Sequence, residues 1–401
     1  MLTPKLIEHI FAAASIQRWN DYPRMVELVE LDKQAHKFII AYFLAKAEDD
    51  EINLLHLIEA GLFEFFRRVV VTDIRPDVFH KALEKKTNEI NQWVLGKLHE
   101  ALLPIEDEAF YERFRAYLND PQMYKKERFI LKAASYLSTR WEFSIVYQTS
   151  QFLSDIDRVK EAVDEEIEDY YELIGVRKIA LQKKLSHLVD LSGRLRFQKR
   201  WAQTPRVPET SVLGHMLVVA LLGYFYSIKI GACESRKVHN FFCALFHDLP
   251  EALTRDIISP VKYSVSGLDD IISEYEIKQI DDAIMPYIPV SLRAEFGYLL
   301  GLQNVGKNEF TNRIYEKQPQ VVDTLRPYNE EKYRAIDGVA LKNCDRLAAF
   351  IEATLSISHG VKSKELINGR AYIKDILKEK GKTEGVDFYQ LAQDIESYLL
   401  V

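Results

Sequence analysis

One seven-residue pattern occurs twice in this chain, and it restricts the possible folds more than any other feature. Residues 18–25 and 200–207 both read R-W-x-x-x-P-R followed by an apolar residue. Three further pairs of segments follow in the same order: QAHKFIIAYFLA and LGHMLVVALLGY, LIEAGLFEF and ALFHDLPEA, FILKAASYLS and VALKNCDRLA. Helical segments can share a composition by chance, but the preserved order favours a duplicated domain.

The periodicity of the apolar residues predicts an all-α fold. Apolar residues recur every three or four positions, as in LLHLIEAGLFEFF and KVHNFFCALF, and alternating runs are few. We expect two tandem helical domains of one type, residues 1–185 and 186–401. A long charged helix, roughly Ser154 to Lys184, should join them. Its acidic start and basic end suit the helix dipole, and we interpret its charges as a solvated face.

Composition argues against several classes of protein. The net charge of −7 does not favour nucleic-acid binding. No apolar run approaches the roughly 18–20 residues of a membrane span, and the first residues lack the apolar core of a signal peptide. Three cysteines without C-x-x-C spacing support neither a disulfide framework nor a thiolate zinc site. We therefore expect a cytoplasmic protein with no membrane or nucleic-acid partner.

Four residues in the second half form the order H…HD…D that a divalent metal requires. They are His215, His247, Asp248 and Asp345. Pro250 should break the helix near Leu249 and so place the His-Asp pair at a helix end. Imidazole and carboxylate ligands favour one divalent transition metal, Mn, Co, Fe or Zn, with Mg as an alternative.

Nearby residues are suited to hydrolysis. Glu251 follows His247 by four positions and can accept a proton from a metal-bound water, while Asp256 can position the leaving oxygen. Capping or simple exposure is the alternative for both carboxylates. Arg194, Arg196, Lys199, Arg200 and Arg206 form a basic cluster before His215. Alone it would be a solvated face, but beside a metal it can hold phosphate.

The first half has lost most of these groups if the chain is duplicated. When the two halves are aligned, His36 corresponds to His215 if the first half has three extra residues. Ala60, Gly61 and Ser135 then correspond to His247, Asp248 and Asp345. Glu64 falls opposite Glu251. One imidazole without carboxylates binds a divalent ion weakly. We therefore expect the first half to be a non-catalytic copy.

The second half resembles the HD-domain metal-dependent phosphohydrolases, and among them the bacterial 5′-deoxynucleotidases, which hydrolyse deoxyribonucleoside monophosphates. The shared motifs are R-L-x-F-x-x-R-W (194–201), His215 fourteen residues after Trp201, H-D-x-x-E-x-L-T-x-D (247–256), P-V-K-Y (260–263) and L-K-x-x-D (341–345). The residue before the first histidine is commonly Glu in the family and is Gly214 here. This change alters a contact that can tune metal affinity.

The resemblance implies roles for the individual residues. His215, His247, Asp248 and Asp345 would bind the metal, and Glu251, assisted by Asp256, would activate water. Arg200 would bind phosphate, Trp201 would disfavour a ribose 2′-hydroxyl, and Lys262 of P-V-K-Y would contact the substrate.

The resemblance also implies that two such domains pair. In this chain they can form an internal pseudo-dimer, and the whole protein can be a monomer or a homodimer. The predicted activity is release of phosphate from deoxynucleoside 5′-monophosphates. Alternatives are hydrolysis of deoxynucleoside triphosphates, cyclic nucleotides or guanosine polyphosphates, or a non-catalytic nucleotide sensor.

Overall fold

A computed structural model describes residues 2–72, 74–255, 265–302 and 306–400. The chain divides into two compact units, Met1–Arg177 and Lys178–Val401. The division falls after Arg177, whereas the sequence predicts a boundary after residue 185.

The first unit is helical throughout its described residues. Its helices are α1 (Pro4–Ala12), α2 (Glu30–Ala45), α3 (Leu54–Val71), α4 (Pro76–Leu102), α5 (Ala109–Asn119), α6 (Lys125–Ser150) and α7 (Ile156–Glu168), and α8 (Ile174–Ala180) spans the boundary. Helix α2 is buried along its whole length and packs against α3 and α6.

The second unit is built from helices and one small sheet. Its helices are α9 (Lys184–Arg194), α10 (Val212–Lys229), α11 (Glu234–Phe246), α12 (Glu251–Thr254), α13 (Leu268–Ala283), α14 (Arg293–Leu299), α15 (Gly338–Ser358), α16 (Lys364–Lys380) and α17 (Phe388–Leu399). Short 3₁₀ turns lie at Leu195–Phe197, Val290–Leu292, Arg326–Tyr328 and Glu331–Tyr333. The predicted all-α class is confirmed.

Three short antiparallel strands precede α15. They are β1 (Asn312–Tyr315), β2 (Pro319–Val321) and β3 (Ile336–Asp337), in the order β2-β1-β3. Arg313 pairs with Val321 on one side and with Ile336 on the other. A Cβ at Gly338 would lie 2.1 Å from the carbonyl oxygen of Thr311, so only glycine lets α15 begin this close to the sheet.

Helix α10 forms the centre of the second unit. It is apolar on all sides, as expected of a helix enclosed by protein, and packs against α11 and α15. By length and composition it could cross a membrane, but 94% of it is buried inside the unit, as in core helices of soluble proteins. The sequence prediction that no apolar run approaches membrane length overlooked this helix.

The predicted long helix over residues 154–184 is wrong. The segment forms α7 and α8, and α9 begins at Lys184. A turn after Glu168 lets the ring of Tyr170 pack 5.1 Å from Phe129 and buries Leu173. Gln182 then adopts a φ of 52° and separates α8 from α9. Burial of these apolar side chains outweighs the helical preference of the charged sequence.

Candidate metal centre

His215 lies in the first turn of α10. The hydroxyl of Ser211 accepts a hydrogen bond from the backbone N–H of Gly214 (3.0 Å) and caps the helix. The cap fixes where α10 begins and therefore which way the buried His215 side chain points. Its Nδ1 lies 3.2 Å from Oε1 of Glu352, and its Nε2 lies 3.0 Å from Oδ1 of Asp345.

Carboxylates surround His215 and favour positive charge there. Burial and Arg200 lower its pKa, but Glu352 and Asp345 together raise the pKa of His215 to about 9. The same carboxylates that stabilise a proton at this position can stabilise a metal cation in its place.

His247 and Asp248 lie at the break between α11 and α12, as the sequence predicts from Pro250. His247 caps α11, and its Nδ1 donates to the carbonyl oxygen of Ala244 (2.6 Å). Its Nε2 therefore faces the Asp248 carboxylate, 3.1 Å from Oδ2. Burial opposes ionisation, but His247 holds the pKa of Asp248 well below its usual range.

Asp345 comes from α15. Its Oδ1 contacts His215, and its Oδ2 accepts from Nζ of Lys342 at 2.8 Å. Although burial opposes ionisation, Lys342 and His215 hold the pKa of Asp345 well below its usual range. The structure thus brings His215, His247 and Asp248 together from α10 and the α11–α12 break, and Asp345 on α15 contacts His215.

The donor set fits a divalent metal ion. One ligand atom from each of His215, His247 and Asp248 lies within 4.8 Å of the others. In both histidines Nδ1 faces an acceptor, which leaves Nε2 for a metal, and this is the usual arrangement of metal-binding imidazoles. Asp345 adds a second carboxylate.

The predicted catalytic and substrate residues are only partly described. Glu251 is buried and begins α12, and its carbonyl oxygen accepts from Nε2 of Gln198 (2.8 Å). This bond connects the start of α12 to the segment that carries the basic cluster. Asp256, Lys262 and the whole P-V-K-Y motif fall within residues 256–264, which lie outside the described residues.

Arg200 and Trp201 lie on a loop between α9 and α10. The backbone N–H of Arg200 donates to the carbonyl oxygen of Thr210 (2.9 Å), and Trp201 adopts a left-handed φ of 57°. Such a backbone is uncommon for a large residue and is often found at functional sites. The loop borders a cavity of about 430 Å³ whose lining includes Arg200, Trp201 and Arg206.

Sequence analysis missed Glu352, which connects this loop to the metal centre. It is fully buried in α15 and accepts hydrogen bonds from Nε1 of Trp201 (3.1 Å) and Oγ1 of Thr210 (3.0 Å) as well as from His215. Burial raises its pKa, but Arg206 and His215 lower the pKa of Glu352 to about 2. The repeat carried the signal: Glu142 follows Ser135 at the spacing at which Glu352 follows Asp345.

The first unit contains the same loop. Arg18 donates its backbone N–H to the carbonyl oxygen of Leu28 (2.8 Å), and Trp19 has a φ of 56°. Isolated bridges Gln17–Val29 and Lys199–Ser211 close the two loops at the same spacing. Nε1 of Trp19 donates to Glu142 (3.2 Å), as Trp201 does to Glu352.

This spacing corrects the predicted pairing of the histidines. Glu30 N–H donates to Ile16 and Val212 N–H donates to Gln198, so the loops have equal length and need no three-residue insertion. Lys33, not His36, then corresponds to His215. Nζ of Lys33 donates to Oγ of Ser135 (2.6 Å), where the second unit has the His215–Asp345 contact. An ammonium group has no lone pair to offer a metal.

Comparison with known proteins agrees with this geometry. Residues 192–374 match the HD domain family. A 5′-deoxynucleotidase of Pasteurella multocida is 20% identical over 198 residues, covering 49% of this chain and 86% of its own length. One from Enterobacter is 28% identical over 142 residues, 33% of this chain and 66% of its own. One from Salmonella arizonae is 30% identical over 126 residues, 29% of this chain and 60% of its own.

Residues 192–374 are thus similar to the HD domain family. HD domains bind divalent metals, and the group formed by His215, His247 and Asp248 lies within the matched residues. Within this family, the chain is similar to bacterial 5′-deoxynucleotidases.

Proposed function

We propose that the protein is a metal-dependent phosphomonoesterase that releases phosphate from deoxyribonucleoside 5′-monophosphates. The observation that carries this proposal is the convergence of His215, His247 and Asp248 within 4.8 Å, with Asp345 against His215. These four residues would bind one divalent transition metal. The names of the relatives support the choice of substrate.

The bound ion would neutralise the phosphate and lower the pKa of a coordinated water toward ~7. Glu251, buried at the start of α12, would accept a proton from the attacking water. Arg200 would hold the phosphate by bidentate hydrogen bonds. Trp201, fixed by Glu352, would leave no room beside the sugar for a 2′-hydroxyl. Asp256 and Lys262 would assist, as the family resemblance implies.

The first unit would not catalyse the reaction. Lys33 and Ser135 occupy the positions that His215 and Asp345 have in the second unit, and they offer neither an imidazole nor a carboxylate to a divalent metal. We further propose that the enzyme works in the cytoplasm, where its three free cysteines would stay reduced.

A nucleotide panel tests the proposal. Phosphate release is measured from deoxy- and ribonucleoside monophosphates, deoxynucleoside triphosphates, cyclic nucleotides and guanosine polyphosphates, each with Mn, Co, Mg and Zn. We expect deoxynucleoside monophosphates to be cleaved fastest. If triphosphates or cyclic nucleotides are hydrolysed and monophosphates are not, the substrate assignment is wrong, although the protein is still a hydrolase.

A further inference from the structure

One buried carboxylate in the second unit, Glu352, contacts both the metal centre and the loop of Arg200 and Trp201 between α9 and α10, hereafter the nucleotide loop. Oε1 of Glu352 accepts from Nδ1 of His215 (3.2 Å) and from Thr210 (3.0 Å), while Oε2 accepts from Nε1 of Trp201 (3.1 Å). Nη1 of Arg206 lies 3.9 Å from Oε2. Both oxygens of Glu352 are therefore used.

A carboxylate accepts all of these hydrogen bonds, and its amide counterpart cannot. A glutamine has one oxygen acceptor, and its NH₂ group can only donate. At position 352 it would leave either the His215 N–H or the Trp201 N–H facing a donor. Gly214, the residue before His215, has no side chain that could replace the lost acceptor.

We infer that Glu352 is a positioning residue that couples the metal centre to the nucleotide loop. By accepting a hydrogen bond from Nδ1–H it keeps His215 in the tautomer whose Nε2 is available to a metal. By accepting from Trp201 it holds the loop of Arg200. The second role rests on the proposed nucleotidase function, but the first does not.

The first unit provides a natural comparison. Glu142 accepts from Nε1 of Trp19 (3.2 Å) and from Nε of Arg18 (2.8 Å). Lys33 replaces the histidine in that unit, so its carboxylate holds a loop but positions no metal ligand. In both units the glutamate contacts the tryptophan, so this contact is part of the shared scaffold. Only Glu352, in the second unit, also contacts a histidine.

Matched variants of the full-length chain, Glu352→Gln and Glu142→Gln, test the inference. Co²⁺ affinity is measured by competition with a chelator, and the visible absorption spectrum of the bound Co²⁺ is recorded. We expect E352Q to weaken Co²⁺ binding by about 10- to 100-fold and to change the spectrum. E142Q should match the wild type in both. Wild-type affinity in E352Q, or equal weakening in E142Q, would overturn the inference.

A second variant covers a folding failure of E352Q, which circular dichroism would reveal. Glu352→Asp keeps the charge but withdraws the oxygens from His215, and we expect weakened Co²⁺ binding in the folded protein. Wild-type affinity in E352D would also overturn the inference. If wild-type protein binds Co²⁺ yet cleaves no nucleotide, the proposed function fails, and the Co²⁺ affinities still decide the role of Glu352 at the metal centre.

Discussion

At the scale of single residues, the two units differ most at one position on their first core helix. His215 places an imidazole ring between two carboxylates, whereas Lys33 places its amino group against the hydroxyl of Ser135. Imidazole can coordinate a divalent ion, and an ammonium group repels it. With Ala60, Gly61 and Ser135 opposite the other three predicted ligands, this lysine completes the loss of the ligand set in the first unit.

Lys33→Met should stabilise the first unit in a pH-dependent way. Burial lowers the pKa of Lys33 from 10.5 to about 7, so below that pH the folded chain bears the full cost of a buried charge. Between the two values the unfolded chain binds a proton that the folded chain does not, and wild-type stability rises with pH. Near pH 6 we expect K33M to have a higher melting temperature than the wild type, by about 2–4 °C for each kcal/mol of added stability. The difference in melting temperature should shrink as the pH rises toward 10.

The control is Lys85→Met, at an exposed lysine of α4 in the same unit. The melting temperature of K85M should differ from that of the wild type by the same amount at every pH. A K33M gain that is constant or grows between neutral and alkaline pH would contradict the assigned burial cost.

Glu251→Gln distinguishes an enzyme from a nucleotide sensor. The amide cannot accept a proton, so we expect turnover to fall by roughly 100-fold or more, a common loss when a general base is removed. Metal and nucleotide binding, measured by calorimetry, should persist. An absence of turnover in both wild type and E251Q, with binding intact, would favour the sensor.

At the scale of secondary structure, helices α15 and α16 together hold the indole of Trp201. Glu352 on α15 binds its Nε1, and a Cβ at Gly369 on α16 would lie 2.7 Å from the ring. Gly369→Ala must therefore displace the ring. We expect KM for a deoxynucleotide to rise by a factor on the order of ten, or about 1.4 kcal/mol, with unchanged Co²⁺ affinity.

Gly96→Ala is the matched control. Gly96 is exposed in α4, and an added Cβ would meet nothing within 4 Å. The change should raise helix stability by up to about 1 kcal/mol without altering KM. An unchanged KM in G369A would show that the position of Trp201 does not govern nucleotide binding.

The sequence predicts elements where local chemistry decides them. Pro250 ends the helix after His247, and the three- and four-residue periodicity gives the helical class. The long helix over residues 154–184 fails because tertiary burial of Tyr170 and Leu173 ends it. The predicted pairing of His36 with His215 is wrong. It matched two histidines by assuming a three-residue insertion, and the backbone hydrogen bonds show that the two loops have equal length.

The ligand set could be proposed from sequence because metal chemistry admits few residue types. Glu352 could not be recognised from a motif, because its partners lie on the nucleotide loop and on α10. A buried acidic residue reveals its role only through the donors around it. Its repetition as Glu142 was the one sequence signal for it.

At the scale of the whole molecule, we propose that the two units arose by duplication. Each unit contains a loop in which a tryptophan has a positive φ and donates its indole N–H to a buried glutamate. The predicted internal pseudo-dimer leads us to expect a monomer in solution. Light scattering should give a mass near 46.6 kDa. A mass near twice that value would show that pairing within the chain does not replace association between chains.

We propose that each chain has a single metal-dependent hydrolytic centre, in the second unit. The most direct measurement titrates Mn²⁺ or Co²⁺ into chelator-stripped full-length protein while following phosphate release from a deoxynucleoside monophosphate. We predict that activity rises from zero and saturates at about one ion per chain, and that Asp345→Ala abolishes the rise. Saturation at two ions per chain, or no phosphate release at any metal concentration, would contradict the account.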